Sequence, residues 1–197
     1  IVSDTGWIIS DNQPIPIGGP TMDSGFSDCD VALRDGRSVR LRAMRPSDEA
    51  ELVQTFGRMS DDARYMRFMR VVREPNLERV RQVLASFPGN GFGIVATIPA
   101  ADGVDIVGSA IVVFGSSASS GEFAINVTAG YGGAGLGGTL MNALIGAARR
   151  RGLADMEGYV LAANKPMLRL AAGLGFSVAP DPDDSTVRLC RLRLGGP

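Results

Sequence analysis

From residue 31 onward, apolar and polar positions alternate in regular blocks. Val31-Ala32-Leu33 and Ser38-Val39-Arg40-Leu41-Arg42 flank Asp35-Gly36, a turn signal, and the second run alternates as a half-buried strand does. Pro46, followed by Ser47, Asp48 and Glu49, predicts a helix start. Proline loses only an N–H that a first turn leaves unbonded, and acids suit the positive end of the helix dipole. Leu52, Val53, Phe56 and Met59 then recur at helical spacing. Ser60-Asp61-Asp62 reads as a second cap, followed by Tyr65, Met66, Phe68 and Met69, and Pro75-Asn76 opens a third helix with Leu77, Val80, Val83 and Leu84 inward. Residues 91–98, 105–114 and 122–128 are strand-like, rich in β-branched side chains and bounded by turns. A glycine-rich stretch follows, then a helix to about Arg151 with Leu136, Leu140, Leu144 and Ala148 on one face, ended by Gly152. Residues 156–162 predict a strand, 164–174 a helix and 186–194 a last strand. The order is that of an α/β or α+β domain built on a mixed sheet.

Residues 1–30 lack any sustained period and carry Gly, Pro, Asp and Ser throughout, interrupted by Trp7-Ile8-Ile9. They read as an extended arm or linker, and residues 31–197 as the domain. The chain has 197 residues with 20 basic and 21 acidic, enough to bury a core and without the positive balance that marks nucleic-acid binding. No apolar run reaches the ~20 residues of a membrane span. The absence of histidine removes the Ser-His-Asp triad and histidine-ligated zinc. Two cysteines, Cys29 and Cys190, are too few for a four-thiolate metal site, so no metal is expected and a reducing cytoplasm is the expected location. The basic set is almost all arginine, with Lys165 its only lysine.

The most informative chemistry lies in Gly132, Gly133, Gly135, Gly137 and Gly138, set between a strand and a long helix. Glycine permits positive φ and close approach of a ligand to the backbone, and successive amides at a helix N-terminus cradle an anion. A P-loop is excluded because no lysine precedes Thr139. Gly130, Gly132 and Gly135 fit a dinucleotide fingerprint with Asp155 twenty residues on, but the unit follows several strands where that fingerprint opens a fold.

More of the chain fits a third pattern. Gly132-Gly133-Ala134-Gly135-Leu136-Gly137 resembles the Gln/Arg-x-x-Gly-x-Gly/Ala motif of the GNAT acyl-CoA N-acetyltransferases. Asn164 to Phe176 is similar to their second signature, an asparagine opening a helix that ends in Leu-Gly-Phe. Ser38 to Glu49 looks like the family's first strand and helix start, so the resemblance covers roughly 33–194. A narrower likeness to bacterial Pat-type protein-lysine acetyltransferases rests on Arg34-Asp35-Gly36, Ser60 to Phe68, Glu122-Phe123-Ala124 and Asn164-Lys165-Pro166-Met167. It implies a GNAT fold with a mixed, mostly antiparallel sheet and helices on both faces. In that group the catalytic domain is often fused to a regulatory or acyl-CoA-synthetase-like domain; the arm and the lack of an initiator Met would suit a piece of such a chain.

The resemblance implies acetyl-CoA as cosubstrate and an amine acceptor, a protein lysine in the narrower group. Glu122 would be the general base, and Ile125 and Val127 would offer backbone groups to the thioester and pantetheine arm. Gly132, Gly133, Ala134, Gly135, Leu136, Gly137 and Gly138 would hold the pyrophosphate, and Asn164 would cap its helix and touch the cofactor's thioether end. Attack would be direct, in a ternary complex. Two departures stand out. Gly132 replaces the Gln or Arg that helps bind pyrophosphate, leaving backbone amides or another arginine to do so. Ala171 takes the place of the tyrosine that many members use to protonate the thiolate. Alternatives are a small-molecule amine acceptor, or an acyl-CoA-binding regulatory domain without activity. Arg149-Arg150-Arg151 reads as a solvated helix end, Arg64, Arg67, Arg70 and Arg73 as a charged helix face, Tyr131 and Tyr159 as packing residues, and Cys190 as a small core residue.

Overall fold

The structure, a computed structural model, describes residues 26–101, 103–115 and 119–195. Its eight strands are β1 (Cys29–Ala32), β2 (Ser38–Ala43), β3 (Gly91–Ala100), β4 (Gly103–Phe114), β5 (Ser120–Val127), β6 (Asp155–Leu161), β7 (Ser177–Pro180) and β8 (Val187–Arg193). They form one sheet in the order β1-β2-β3-β4-β5-β6-β8-β7. Every neighbouring pair is antiparallel except β5–β6. The helices are α1 (Glu49–Gly57), α2 (Asp61–Phe68), α3 (Leu77–Ser86), α4 (Leu136–Arg150) and α5 (Lys165–Gly173). This is a mixed α/β fold with helices on both faces of the sheet.

Two apolar layers explain the arrangement. On one face, Leu52 of α1 and Val80 and Leu84 of α3 bury against Val95 and Ile106, and Val83 against Ile111 and Val113. On the other, Leu136, Leu140, Leu144 and Ala148 of α4, all fully buried, pack with Ile94, Ala96, Ala110 and Val112. Ile106 and Ile111 share a face although five residues apart, because a bulge at Val107 shifts the β3–β4 register. Truncating Leu144 to alanine should cost about 2–5 kcal/mol of stability, read from the denaturant midpoint at unchanged slope.

At the start of α1 a buried ion pair fixes the chain. Arg42 donates from both Nη atoms to Asp48, at 2.8 and 2.7 Å, and the Arg45 amide donates to Asp48 Oδ2 at 2.8 Å. Pro46–Asp48 form a 3₁₀ turn that leads into α1.

Some boundaries differ from the sequence expectation. Strand β1 begins at Cys29, inside the stretch read as an arm, and residues 1–25 lie outside the described residues. Helix α2 stops at Phe68, with Met69 in the left-handed region at φ 55 and outside the helix. Strand β7 has no counterpart in the reading, since all four of its residues are exposed on the sheet edge and carry no alternation. Arg149-Arg150-Arg151 is not simply a solvated end: Arg151 stacks 4.4 Å from the Phe92 ring centroid and bonds the Pro88 carbonyl, and Arg149 reaches the Leu194 carbonyl. Among the described residues, no helix is long and apolar enough to cross a membrane.

Candidate active site

Strands β5 and β6 pair over only three positions, Ser120↔Asp155, Gly121↔Met156 and Glu122↔Glu157. Beyond them β5 stays on β4 as far as Val127, and β6 stays on β8 as far as Leu161. The two strands therefore part like a fork. Phe123 sits at the crotch: its ring packs edge-on against Phe176, centroids 5.1 Å apart, and lies where a Cβ on Gly158 would approach it to 2.7 Å. Alternate residues along the unpaired half of β5 turn amide and carbonyl into the gap. A cleft of about 700 Å³ opens there, lined by the open half of β5, the glycine loop, the start of α5, and α2.

The glycine loop is tied down at both ends. The Thr128 amide and hydroxyl both donate to the Val107 carbonyl freed by the bulge, at 3.0 and 2.8 Å. Gly133 and Gly135 have φ of 79 and 90, where a side chain is strained; Gly132, at φ −61, has no such need. Helix α4 starts at Leu136, and its first i→i−4 bond is donated by Thr139 to Gly135. The amides of Leu136, Gly137 and Gly138 are thus the unbonded donors of a first turn. Gly137 is packed closely, since a Cβ there would lie 3.2 Å from Leu170. The β1–β2 turn clasps this loop: the Arg34 amide donates to the Ala134 carbonyl at 3.1 Å, while Arg37 donates to the Gly130 carbonyl at 2.8 Å and stacks 3.9 Å from the Tyr131 ring.

Most of the residues singled out in the sequence meet in this cleft. Glu122, Ile125, Val127, Gly132, Gly133, Gly135, Gly137, Gly138 and Asn164 all line it. Ala134 and Leu136 do not; their side chains are 6% and 0% exposed and turn into the core. Asn164 caps α5, its Oδ1 accepting from the Met167 amide at 3.2 Å. Cys190 is fully buried and its thiol is pushed up by burial, the environment of a core residue. Among the described residues, no cluster of His, Cys, Asp or Glu could hold a metal ion.

The comparisons with known proteins fit this geometry. Residues 38–177 match a family model described as an acetyltransferase (GNAT) domain. The chain belongs to the GNAT acetyltransferase family. An acetyltransferase of Pseudomonas aeruginosa is 32% identical over 163 residues, spanning 83% of this chain and 88% of that protein. The GNAT domain of S. lividans PAT shares the fold with a TM-score of 0.76 at 23% identity, over 84% of this chain and 96% of that one. A cAMP-binding acyltransferase from Mycobacterium smegmatis superposes with a TM-score of 0.60 at 25% identity; 87% of this chain matches, against 48% of that longer one. GNAT acetyltransferases use acetyl-CoA as acyl donor. The cleft is compatible with that cosubstrate: three unbonded amides stand at the start of α4 beside two positive-φ glycines, and half of β5 has no strand partner on that side.

Around Glu122 the GNAT cleft holds charges that sequence reasoning missed. Its carboxyl is pushed up from 4.5 to about 7, first by burial and then by Glu157 opposite, while Arg67 pulls the other way. Arg67 belongs to no solvated helix face: it lines the cleft, lies 5.1 Å from the Phe68 ring centroid, and is brought down to about 10 by burial. Its partner in that reading, Arg64, stacks on Phe56. A signal was available in the large apolar neighbours Met66, Phe68 and Met69, which can draw an arginine inward. Tyr159 also lines the cleft, and its hydroxyl is pushed up by burial and by Glu157 and Glu122. Glu157 itself is paired with Arg191 at 2.6 Å.

Proposed function

We propose that this GNAT acetyltransferase acetylates a primary amine, most specifically a protein lysine side chain, with Glu122 as general base. The observation that carries the proposal is Glu122 at the last paired rung of the β5–β6 fork, with a carboxyl raised to about 7. A lysine amine has a pKa near ~10.4, so roughly one in a few thousand is neutral at pH 7. A carboxylate near 7 is a far better proton acceptor than an ordinary glutamate, while still largely ionised just above neutrality. The thioester supplies an activated acetyl group. Ile125 and Val127 orient the pantetheine arm through their backbone, the amides of Leu136 to Gly138 hold the pyrophosphate, and Asn164 holds the end of the arm nearest α5. Glu122 takes a proton from the ammonium, directly or through a water, the nitrogen lone pair forms the C–N bond, the C–S bond breaks, and the second proton shed by nitrogen goes to the departing thiolate or to water. A thiol with a pKa near ~8.5 departs without a dedicated acid, which fits the buried Ala171.

Acetylated-lysine mass spectrometry on a protein panel, run beside polyamines and amino acids, tests the acceptor. Acetylation of small amines alone would replace the lysine reading. A second reading, an acyl-CoA sensor without turnover, is favoured by the loss of the side-chain donor at Gly132. Binding of acetyl-CoA with no thiol release in either panel would establish it. The free Cys29 and Cys190 suit a cytoplasmic setting. The half-length match to a cAMP-binding acyltransferase supports a fused or associated regulatory domain.

The pH profile follows from the raised carboxyl. The active form is the carboxylate, so kcat/KM should rise with pH to a plateau above about 7. Arg67 opposes the shift, so Arg67→Met should move that rising limb to higher pH. A profile unmoved in the variant would mean that Glu122 is not the titrating group.

A further inference from the structure

The glycine loop departs from its family pattern at Gly132, where the family's Gln or Arg helps bind pyrophosphate. Neither Gly132 nor Ala134 brings a side-chain donor, and Ala134 turns into the core. A pyrophosphate carries two negative charges, and three neutral amides compensate them weakly in an open cleft. The charge must come from elsewhere in the fold, and the β1–β2 turn brings one to the spot.

Arg34 stands at the tip of that turn and lines the cleft. Its amide bonds the Ala134 carbonyl, which fixes its α-carbon against the loop. Its side chain then runs over Gly135: a Cβ placed there would meet Arg34 Cγ, Cδ and Nε, each at 3.3 Å. Gly135 is the N-cap of α4, so the Arg34 side chain lies beside the helix end whose first-turn amides are unbonded. Among the described residues the guanidinium has no acceptor. The acid beside it does not neutralise it, since Asp35 is held by Arg37 at 2.6 Å. Arg37 in turn holds the turn to the loop through Gly130 and Tyr131. An unpaired arginine, set by backbone bonds at a helix N-terminus lined with free amides, is an arrangement built for a phosphate diester.

We infer that Arg34 binds the pyrophosphate of acetyl-CoA, supplying from the β1–β2 turn the side chain that the loop lacks at Gly132. The inference rests on acetyl-CoA being the ligand of the cleft. It also makes the N-terminal hairpin part of the cosubstrate site, far in sequence from the motif it completes.

Calorimetry with CoA, dephospho-CoA and pantetheine tests it on the full chain. Arg34→Ala should weaken CoA by roughly 10- to 100-fold, the range of a charge-assisted bond. Dephospho-CoA, which keeps the pyrophosphate, should lose as much, and pantetheine should lose nothing. Arg34→Lys should retain part of the affinity. Restoring the family's side chain by Gly132→Gln in the Arg34→Ala background should recover several-fold, because φ at Gly132 is −61 and its Cβ would meet only the Ala129 carbonyl, at 3.4 Å. Equal CoA affinity in wild type and Arg34→Ala would overturn the inference while leaving acetyl-CoA as ligand. A loss that vanishes with dephospho-CoA would move Arg34 to the 3′-phosphate and overturn it too. Arg169 is a second arginine lining the cleft, and a phosphate-dependent loss in Arg169→Ala but not in Arg34→Ala would overturn the inference as well. Failure of the wild type to bind CoA would instead sink the reading beneath it.

Discussion

Glu122→Gln should lower kcat by about 10²–10⁴-fold while acetyl-CoA affinity stays within a factor of two or so. The substitution keeps shape and polarity but removes the proton acceptor. It should also flatten the rising limb of the pH profile, because the titrating group is gone. Stability gives an independent readout. Glu122 ionises near 4.5 in an unfolded chain and near 7 in the folded one. The group's contribution to stability is therefore fully present below the unfolded value and is lost as pH rises through the folded one. Glutamine carries no such dependence, so the variant should gain on the wild type between pH 5 and 8 in thermal midpoint. Retained turnover with an unchanged pH limb would place the base elsewhere. Unchanged relative stability across that range would mean that the carboxyl is not raised at all.

Asp48→Ala should cost about 3–5 kcal/mol of stability. The loss exceeds that of an exposed ion pair for a definite reason. Arg42 and Asp48 side chains are only 11% and 6% exposed. Removing the acid strands a cation that has already given up its water, and it also releases the Arg45 amide bonded to the same carboxylate. Chemical denaturation should show the drop as a lower midpoint. The effect should reach the active site as well. The pair anchors the start of α1, and the chain runs on through α2, which carries Arg67 to the cleft. A loss below about 1 kcal/mol would show that the pair is hydrated as a surface pair is.

The sequence carried the periodic parts of this molecule and much of its site. Leu136, Leu140, Leu144 and Ala148 spelled out α4 because a helix buried on one face must repeat that way. The glycines spelled out the loop because positive φ at Gly133 and Gly135 leaves little other choice. Asn164 marked its cap for the same local reason. Features fixed by contacts between distant segments were not legible. Strand β7 exists only as an edge on β8, so its residues need no pattern. Arg67 and Tyr159 face Glu122 through the packing of α2 and β6, which local spacing does not encode. The bulge at Val107 also left no local signature, yet it sets the phase of β4 and frees the carbonyl that holds Thr128. Arg34 was visible only as part of a short likeness; its place over Gly135 depends on a hairpin folding back on a loop a hundred residues away.

The fork has a consequence beyond catalysis. Strands β1 to β5 and strands β6 to β8 are two antiparallel halves of one sheet, stitched by three rungs, and past those rungs each presents a bare strand edge. Bare edges invite pairing with other chains. A pantetheine arm bound in the fork as proposed would lie along the open half of β5, so the substrate would double as a structural strut. By mass action, the metabolite supply would then set not only how fast the protein works but also how firmly it stays folded and how seldom its edges meet those of a neighbour.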